Sequence, residues 1–283
     1  MHLNFIKNTI LLFVVVVLCF TNKSESQIQV HRNPGPIVLG AQQTERYLPI
    51  LKNKNIGIVA NQTSVIFKPE GYTHLIDTLL SLNIIIKKAF APEHGFRGRA
   101  DAGEYVKDGV DAGSGIPIVS LYGSNKIPNA AILSDLDVVI FDVQDVGARF
   151  YTFLSTLHYM METCANLGIT VLILDRPNPN GHYVDGPTLD LKYTSFVGVH
   201  PVPVVHGMTV GEYAQMINGE GWLKEGVKCE LKVISIQNYT HSTIYQPPIL
   251  SKINAKKITV VDCKIRFSTG FVISDSLIST VSA

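Results

Sequence analysis

The chain has 283 residues, of which 46% are apolar and 17% charged. That balance excludes a disordered, collagen-like or coiled-coil protein and leaves enough chain for one large domain or two small ones. Lysine and arginine number 24 against 23 aspartate and glutamate, so no field of one sign points to nucleic acid or an anionic membrane surface, and four cysteines make no disulfide scaffold.

Lys7 and the apolar run over residues 10–20 read as the charged and apolar regions of an export signal. The run is shorter than the roughly 20 residues that span a bilayer, so a membrane anchor is the alternative it disfavours. Ser24 and Ser26 offer small residues for cleavage before Gln27, and Leu18 ahead of Cys19 argues against a lipoprotein. The protein is therefore expected to be secreted or periplasmic, with no stable membrane insertion once the signal is removed. The processed chain would carry 22 basic and 22 acidic residues and keep Cys164, Cys229 and Cys263. Cys164 falls on a helical apolar face and is expected to be a buried thiol.

Buried strands of parallel sheets read as short, continuous apolar runs. The first is IGIVA at 56–60, followed by a helical pattern at 74–82. IIIKKAFA at 84–91, IPIVSL at 116–121 and LDVVIFD at 136–142 come next. Leu154, Leu157, Met161, Cys164 and Gly168 then recur at spacings of three and four, with Ser155, His158, Glu162 and Asn166 opposite, which predicts an amphipathic helix. ITVLILD at 169–175 is the fifth run, and Thr209 with Glu212 makes a capping box for a helix at 209–218. Strands alternating with helices predict an α/β fold with an open, mainly parallel sheet. After Tyr245 the composition shifts: Gln246, Pro247 and Pro248 read as a linker, and the Ser/Thr-rich tail shows little pattern.

Ligands of open α/β sheets bind beyond the carboxyl ends of the strands. Polar residues gather there in this sequence: Asn61 after the first run; Glu93, His94 and Arg97 after the second, with Asp101 and Glu104 beyond; Tyr122 after the third; Asp142, Gln144, Asp145, Arg149 and Tyr151 at the fourth; Asp175, Arg176 and Asn178 at the fifth. His206 precedes Gly207 further on. Each has a structural alternative. Glu93 and His94 suit helix-capping charge, and Asp142 and Asp175 suit strand-end caps. Arg149 suits a pair with Asp142 or Asp145, Asn178 a turn, and His206 a hydrogen-bonded core position. The sequence has no G-x-G-x-x-G, Walker A, G-x-S-x-G, H-E-x-x-H or cysteine-pair zinc pattern. Carboxylates, amides, histidines and aromatics remain, an inventory suited to sugar chemistry, and no cofactor or metal is expected.

The stretches APEHGFRG at 91–98, AGE at 102–104, SLYG at 120–123, FDVQDVGARFY at 141–151 and DRPNPN at 175–180 resemble the NamZ-type exo-β-N-acetylmuramidases. These form a bacterial glycoside hydrolase family once listed as a domain of unknown function. GP at 186–187 and VHGMTVGEYA at 205–214 extend the resemblance, which covers about residues 40–245. It implies a Rossmann-like domain, a smaller C-terminal domain, an active site in the cleft between them, and release of N-acetylmuramic acid from non-reducing ends of peptidoglycan fragments. On this reading residues 1–26 are a signal peptide and 27–245 the catalytic domain. Residues 246–283 are a divergent or truncated start of the second domain, so only a fragment of it is expected.

Chemistry and resemblance together nominate Glu93 as proton donor to the leaving oxygen, with burial against residues such as Phe96 raising its pKa. Glu104 is the second carboxyl, as nucleophile or base, with Asp142 and Asp145 competing; a separation of about 5–5.5 Å favours retention and about 6.5–9.5 Å inversion. Arg97, Arg149 and Arg176 are candidates for the lactyl carboxylate of muramic acid. Asn61, Gln144 and Asn178 would take hydroxyls or the acetamido group, Tyr122 and Tyr151 the sugar face, and His94 and His206 would orient a carboxylate. The expected partner is a muramyl saccharide. Two rivals stand beside this: a cell-wall-binding protein without turnover, and a metal-assisted hydrolase using Glu93, His94, Asp142 and His206.

Overall fold

A computed structural model describes residues 35–97 and 108–249. Helix α1 (Thr44–Leu51) leads into β1 (Ile56–Ala60), a hairpin of β2 (Val65–Lys68) and β3 (Gly71–His74), and α2 (Leu75–Ser81). Then come β4 (Ile86–Ala91), β5 (Gly109–Val110), β6 (Pro117–Ser120), α3 (Ala130–Leu133), β7 (Val138–Asp142) and α4 (Phe153–Leu167). The order closes with β8 (Thr170–Leu174), α5 (Val210–Gly219) and β9 (Leu231–Ile234).

Seven strands form one sheet in the order β5-β6-β4-β1-β7-β8-β9, and every pairing but that of β5 with β6 is parallel. Counted along the chain, the six parallel strands lie as 3-2-1-4-5-6, the doubly wound Rossmann order. The strand order reverses beside β1, between β4 and β7. A crevice opens at such a reversal because the connections on either side leave in opposite directions.

Both faces of the sheet are covered, and the strand sequences show why. Val59, Val139, Phe141, Val171 and Ile173 pack with Leu157, Met161 and Cys164 of α4 and with Tyr213 and Ile217 of α5. The alternate residues Ile58, Ile140, Leu172 and Leu174 pack with Tyr47 and Leu51 of α1 and with Leu75 and Leu79 of α2. A strand buried on both faces has no polar position to alternate, so it reads as an unbroken apolar run. Cys164 and Cys229 are buried free thiols.

Three local differences have identifiable causes. The apolar run at 84–91 starts before its strand because Ile84 closes the end of α2. Asn83 takes a left-handed φ of 58°, and the Ile84 N–H donates to Leu79 O at 3.1 Å. Gly168 is the left-handed cap of α4, with φ 68°, rather than part of its apolar stripe. The polar stripe of α4 is also covered. Ser155 Oγ donates to Phe196 O at 2.6 Å, and His158 Nδ1 meets His200 Nε2 at 3.0 Å. The segment after β8 therefore packs over a helix face that composition alone marks as solvent-facing.

Candidate active site

Beyond β4, Pro92 to Gly95 make a tight turn, closed by the Gly95 N–H donating to Pro92 O at 3.0 Å. His94 adopts a φ of 72° in this turn, a region that side chains other than glycine seldom enter. Phe96 anchors the far side: it is buried, with its ring edge-on to His74 at 5.0 Å between centroids. The turn lifts Glu93 to the sheet rim, where it is half-buried. Two hydroxyls reach it. Thr152 Oγ1 donates to Glu93 Oε2 at 2.6 Å, and the Tyr122 phenol also hydrogen-bonds Glu93. Burial, reinforced by the Glu93 charge, pushes that phenol up to about 12. His94 is buried and its Nδ1 has no hydrogen-bond partner. Arg97 faces away from this group, pairing with Asp111 through Nε at 3.0 Å and Nη2 at 2.7 Å. That guanidinium holds the Asp111 carboxyl well below the usual carboxylate range.

The loops after β1 and β7 are tied together. Asn61 Oδ1 accepts from Thr63 N at 2.9 Å and Thr63 Oγ1 at 2.6 Å. Thr63 Oγ1 in turn accepts from Gln144 N at 2.9 Å. Gln144 Nε2 donates to Asp145 O and Pro177 O, both at 2.7 Å. Asn61 Nδ2 and both amide atoms of Gln62 are buried without a hydrogen-bond partner.

Asp142 ends β7 fully buried, and Arg176 clamps it through Nε at 2.6 Å and Nη2 at 3.0 Å. Arg176 Nη2 also donates to Val65 O at 3.1 Å. Asp175 is held by Thr209 Oγ1 at 2.8 Å, Gly211 N at 2.8 Å and Arg176 N at 3.0 Å, all at the start of α5 or beside it. Burial pushes its carboxyl up to about 6. Asn178 accepts from Asn180 N and donates to Met208 O, both at 2.8 Å. Its amide thus closes a turn and fastens the loop before α5.

Asp145 differs from these. It is buried, its Oδ2 accepts from Gly147 N at 2.7 Å, and its Oδ1 has no partner. Burial pushes it up to about 7. His206 Nε2 lies 3.8 Å from Asp145 Oδ2, while Nδ1 accepts from Met208 N at 3.2 Å. That bond puts the ring proton on Nε2, and burial pushes the imidazole down to about 4. Arg149 donates through Nη1 to Pro187 O at 2.8 Å and Val202 O at 2.5 Å. It pairs with no carboxylate among the described residues, and burial lowers its pKa. Tyr151 sits next to it, with its ring 5.6 Å from that of Phe150. Glu104 and Asp101 lie outside the described residues.

The structure thus groups Glu93 with Tyr122, Asn61 with Gln144 and Asp145, and Asp145 with His206. Asp142 and Arg176 close on each other, and Arg97 turns to Asp111. Two polar residues at the rim escaped the sequence reading. Thr152 stands where a routine helix cap stands, and Gln62 follows Asn61 with no pattern to single it out. Among the described residues, no three His, Cys, Asp or Glu side chains gather to hold a metal ion, and no helix is long and apolar enough to cross a membrane.

The comparisons with known proteins agree on one family. A family model described as "Exo-beta-N-acetylmuramidase NamZ, N-terminal" matches residues 56–256. A Bacillus subtilis (strain 168) protein named peptidoglycan beta-N-acetylmuramidase NamZ is 40% identical over 195 residues, covering 68% of this chain and 45% of its own. Two crystal structures of DUF1343 family proteins from Bacteroides fragilis NCTC 9343 share the fold. One has a TM-score of 0.67 at 47% identity over 75% of this chain and 55% of its own. The other has a TM-score of 0.65 at 32% identity over 73% and 52%. The chain therefore spans about half the length of the relatives it matches. With the family model covering most of its length and these relatives alongside, the chain belongs to the NamZ exo-β-N-acetylmuramidase family through that family's N-terminal domain.

Proposed function

We propose that the protein is an exo-acting glycoside hydrolase that releases N-acetylmuramic acid from the non-reducing ends of peptidoglycan fragments. The observation that carries this reading is Glu93: a rim carboxyl on a left-handed turn, held by hydroxyls from two other elements. The B. subtilis relative, named as a peptidoglycan β-N-acetylmuramidase, supplies the substrate class.

In this mechanism Glu93 protonates the oxygen of the leaving sugar. The hydroxyls of Thr152 and Tyr122 then donate to the carboxylate left behind, so charge develops in a cradle already in place. The second carboxyl is Glu104. Asp142 is a poor rival because Arg176 occupies both its oxygens, and Asp145 is a poor one because burial keeps it protonated over much of the physiological range. Arg149 takes the lactyl carboxylate. Of the three candidate cations, Arg97 and Arg176 already hold aspartates, whereas Arg149 bonds only backbone carbonyls among the described residues. Asn61 Nδ2 and the Gln62 amide serve the hydroxyl or acetamido groups, whereas Gln144 Nε2 and the Asn178 amide are engaged in loop contacts. An export signal at residues 1–26 would bring the protein to the cell wall, secreted or periplasmic.

The test is turnover of a chromogenic β-N-acetylmuramide by the wild-type chain and by Glu93→Gln. Release that disappears in Glu93→Gln supports the reading. A folded wild-type chain that binds muropeptides and releases nothing sinks it in favour of a binding protein.

A further inference from the structure

Thr152 occupies the N-cap position of α4. A threonine there ordinarily turns its hydroxyl back to the N–H groups of the first helical turn. With φ −75° and ψ −6°, this one has helical rather than extended backbone and makes no such bond. The helix still starts from its backbone, with Thr156 N donating to Thr152 O at 2.9 Å, but the hydroxyl points out of the helix to Glu93 Oε2 at 2.6 Å. The two residues are 59 positions apart, so no local turn geometry forces the contact. Thr152 is buried, which limits competition from water for that bond. The hydroxyl therefore serves a distant carboxylate and not its own helix.

We infer that Thr152 is a positioning residue for Glu93. Its hydroxyl fixes the Glu93 carboxylate against the first turn of α4. That turn's unpaired N–H groups and the positive end of its dipole favour negative charge. Tyr122, from the loop after β6, donates from a second element. The carboxylate is therefore held by groups belonging to two strand-to-helix connections, while the strained turn at His94 sets its height above the sheet. The role assigned to Thr152 rests on the muramidase reading for the reaction it serves. The geometry does not.

The experiment compares the wild-type chain with Thr152→Val, which keeps the branched shape and removes the hydroxyl, and with Thr152→Ser, which restores it. Each is assayed on the chromogenic muramide and crystallised, with circular dichroism confirming that all three fold. Loss of one hydrogen bond to a charged group predicts a fall in kcat of about 10- to 100-fold in Thr152→Val. KM should change little, and Thr152→Ser should recover most of the rate. An active wild type whose Thr152→Val variant keeps its kcat, or whose two variants fall alike, overturns the positioning role and leaves the muramidase reading standing. A wild type without turnover removes that reading instead. The crystal structures then decide. A Glu93 carboxylate unmoved in Thr152→Val overturns the inference, and one that swings away in Thr152→Val but not in Thr152→Ser upholds it.

Discussion

The ends of β4 and β7 carry acidic residues on neighbouring flanks of β1, yet they are built in opposite ways. At β7, Asp142 is fully buried and both its oxygens lie on one guanidinium, that of Arg176. At β4, Glu93 is half-buried, touches no cation among the described residues, and is held by hydroxyls on a strained turn. A carboxylate with a fixed counter-charge ties together the two segments that supply the pair. One held by neutral donors has no counter-ion to tie it down and stays available to a group that arrives at the rim. A charge at a strand end is thus identified by its partners and not by its position.

Removing the partner at β7 should break this contrast most severely. Arg176→Met leaves Asp142 buried without its counter-charge, which typically costs about 3–5 kcal/mol. Urea unfolding should show that loss, or no folded protein at all. Glu93→Gln is the matched change at β4, and it should shift the unfolding free energy by less than about 1 kcal/mol, since exposed or half-exposed polar changes seldom do more. Similar stability losses in both variants would remove the distinction.

The cations sharpen the same contrast. Arg176 and Arg97 are occupied by aspartates, and Arg149 meets no carboxylate among the described residues. Arg149→Met should raise KM for a muramide by about 10- to 100-fold, the worth of a charge-assisted hydrogen bond, while sparing the corresponding N-acetylglucosaminide, which lacks the lactyl group. Equal losses on both glycosides would reassign Arg149 to holding the Pro187 and Val202 loops together. A smaller effect is expected where Asp175 meets α5. A Cβ on Gly211 would stand 2.7 Å from Val233 Cγ1 and 2.8 Å from Asp175 Cγ. Gly211→Ala should therefore lower stability by about 1–3 kcal/mol through overpacking, read as a lower midpoint in urea.

Much of this frame can be read from sequence. β1, β4, β7 and β8 are central, covered on both faces, and appear as apolar runs; helices α4 and α5 announce themselves by period and by the Thr209–Glu212 cap. β9 does not, because LKVI is a four-residue edge strand with the exposed Lys232 in it. The hairpin of β2 and β3 is equally short and only partly covered. The rim was legible as a list of polar residues, but not which of them were already taken. Asp142 and Arg176 are 34 residues apart, and Glu93 and Thr152 are 59 apart. No local pattern links such pairs; the sheet order brings them together. Asn178 shows the reverse, since its local turn-forming tendency is what the structure uses.

Asp145 lies between the two extremes: buried like Asp142, but facing a neutral imidazole instead of a guanidinium. Its folded pKa, about 7, is above the unfolded value near 3.9, so its contribution is fully present below about pH 4 and is lost as pH rises through 7. His206 runs the other way. Its folded pKa, about 4, is below the unfolded value near 6.5, so its contribution is present above pH 6.5 and is lost as pH falls through 4. Between those limits the folded pair holds one proton, on Asp145, and the unfolded pair also holds one, on His206. Equal proton counts give no net slope of stability with pH from the pair. Deleting either member exposes the other. Relative to wild type, Asp145→Asn should lose stability as pH falls from 6.5 to 4, and His206→Gln should lose it as pH rises from 4 to 7. Each slope should approach about 1.4 kcal/mol per pH unit. Urea midpoints measured at half-unit steps separate the cases. Curves for the two variants that run parallel to wild type would mean that folding shifts neither the Asp145 carboxyl nor the His206 imidazole.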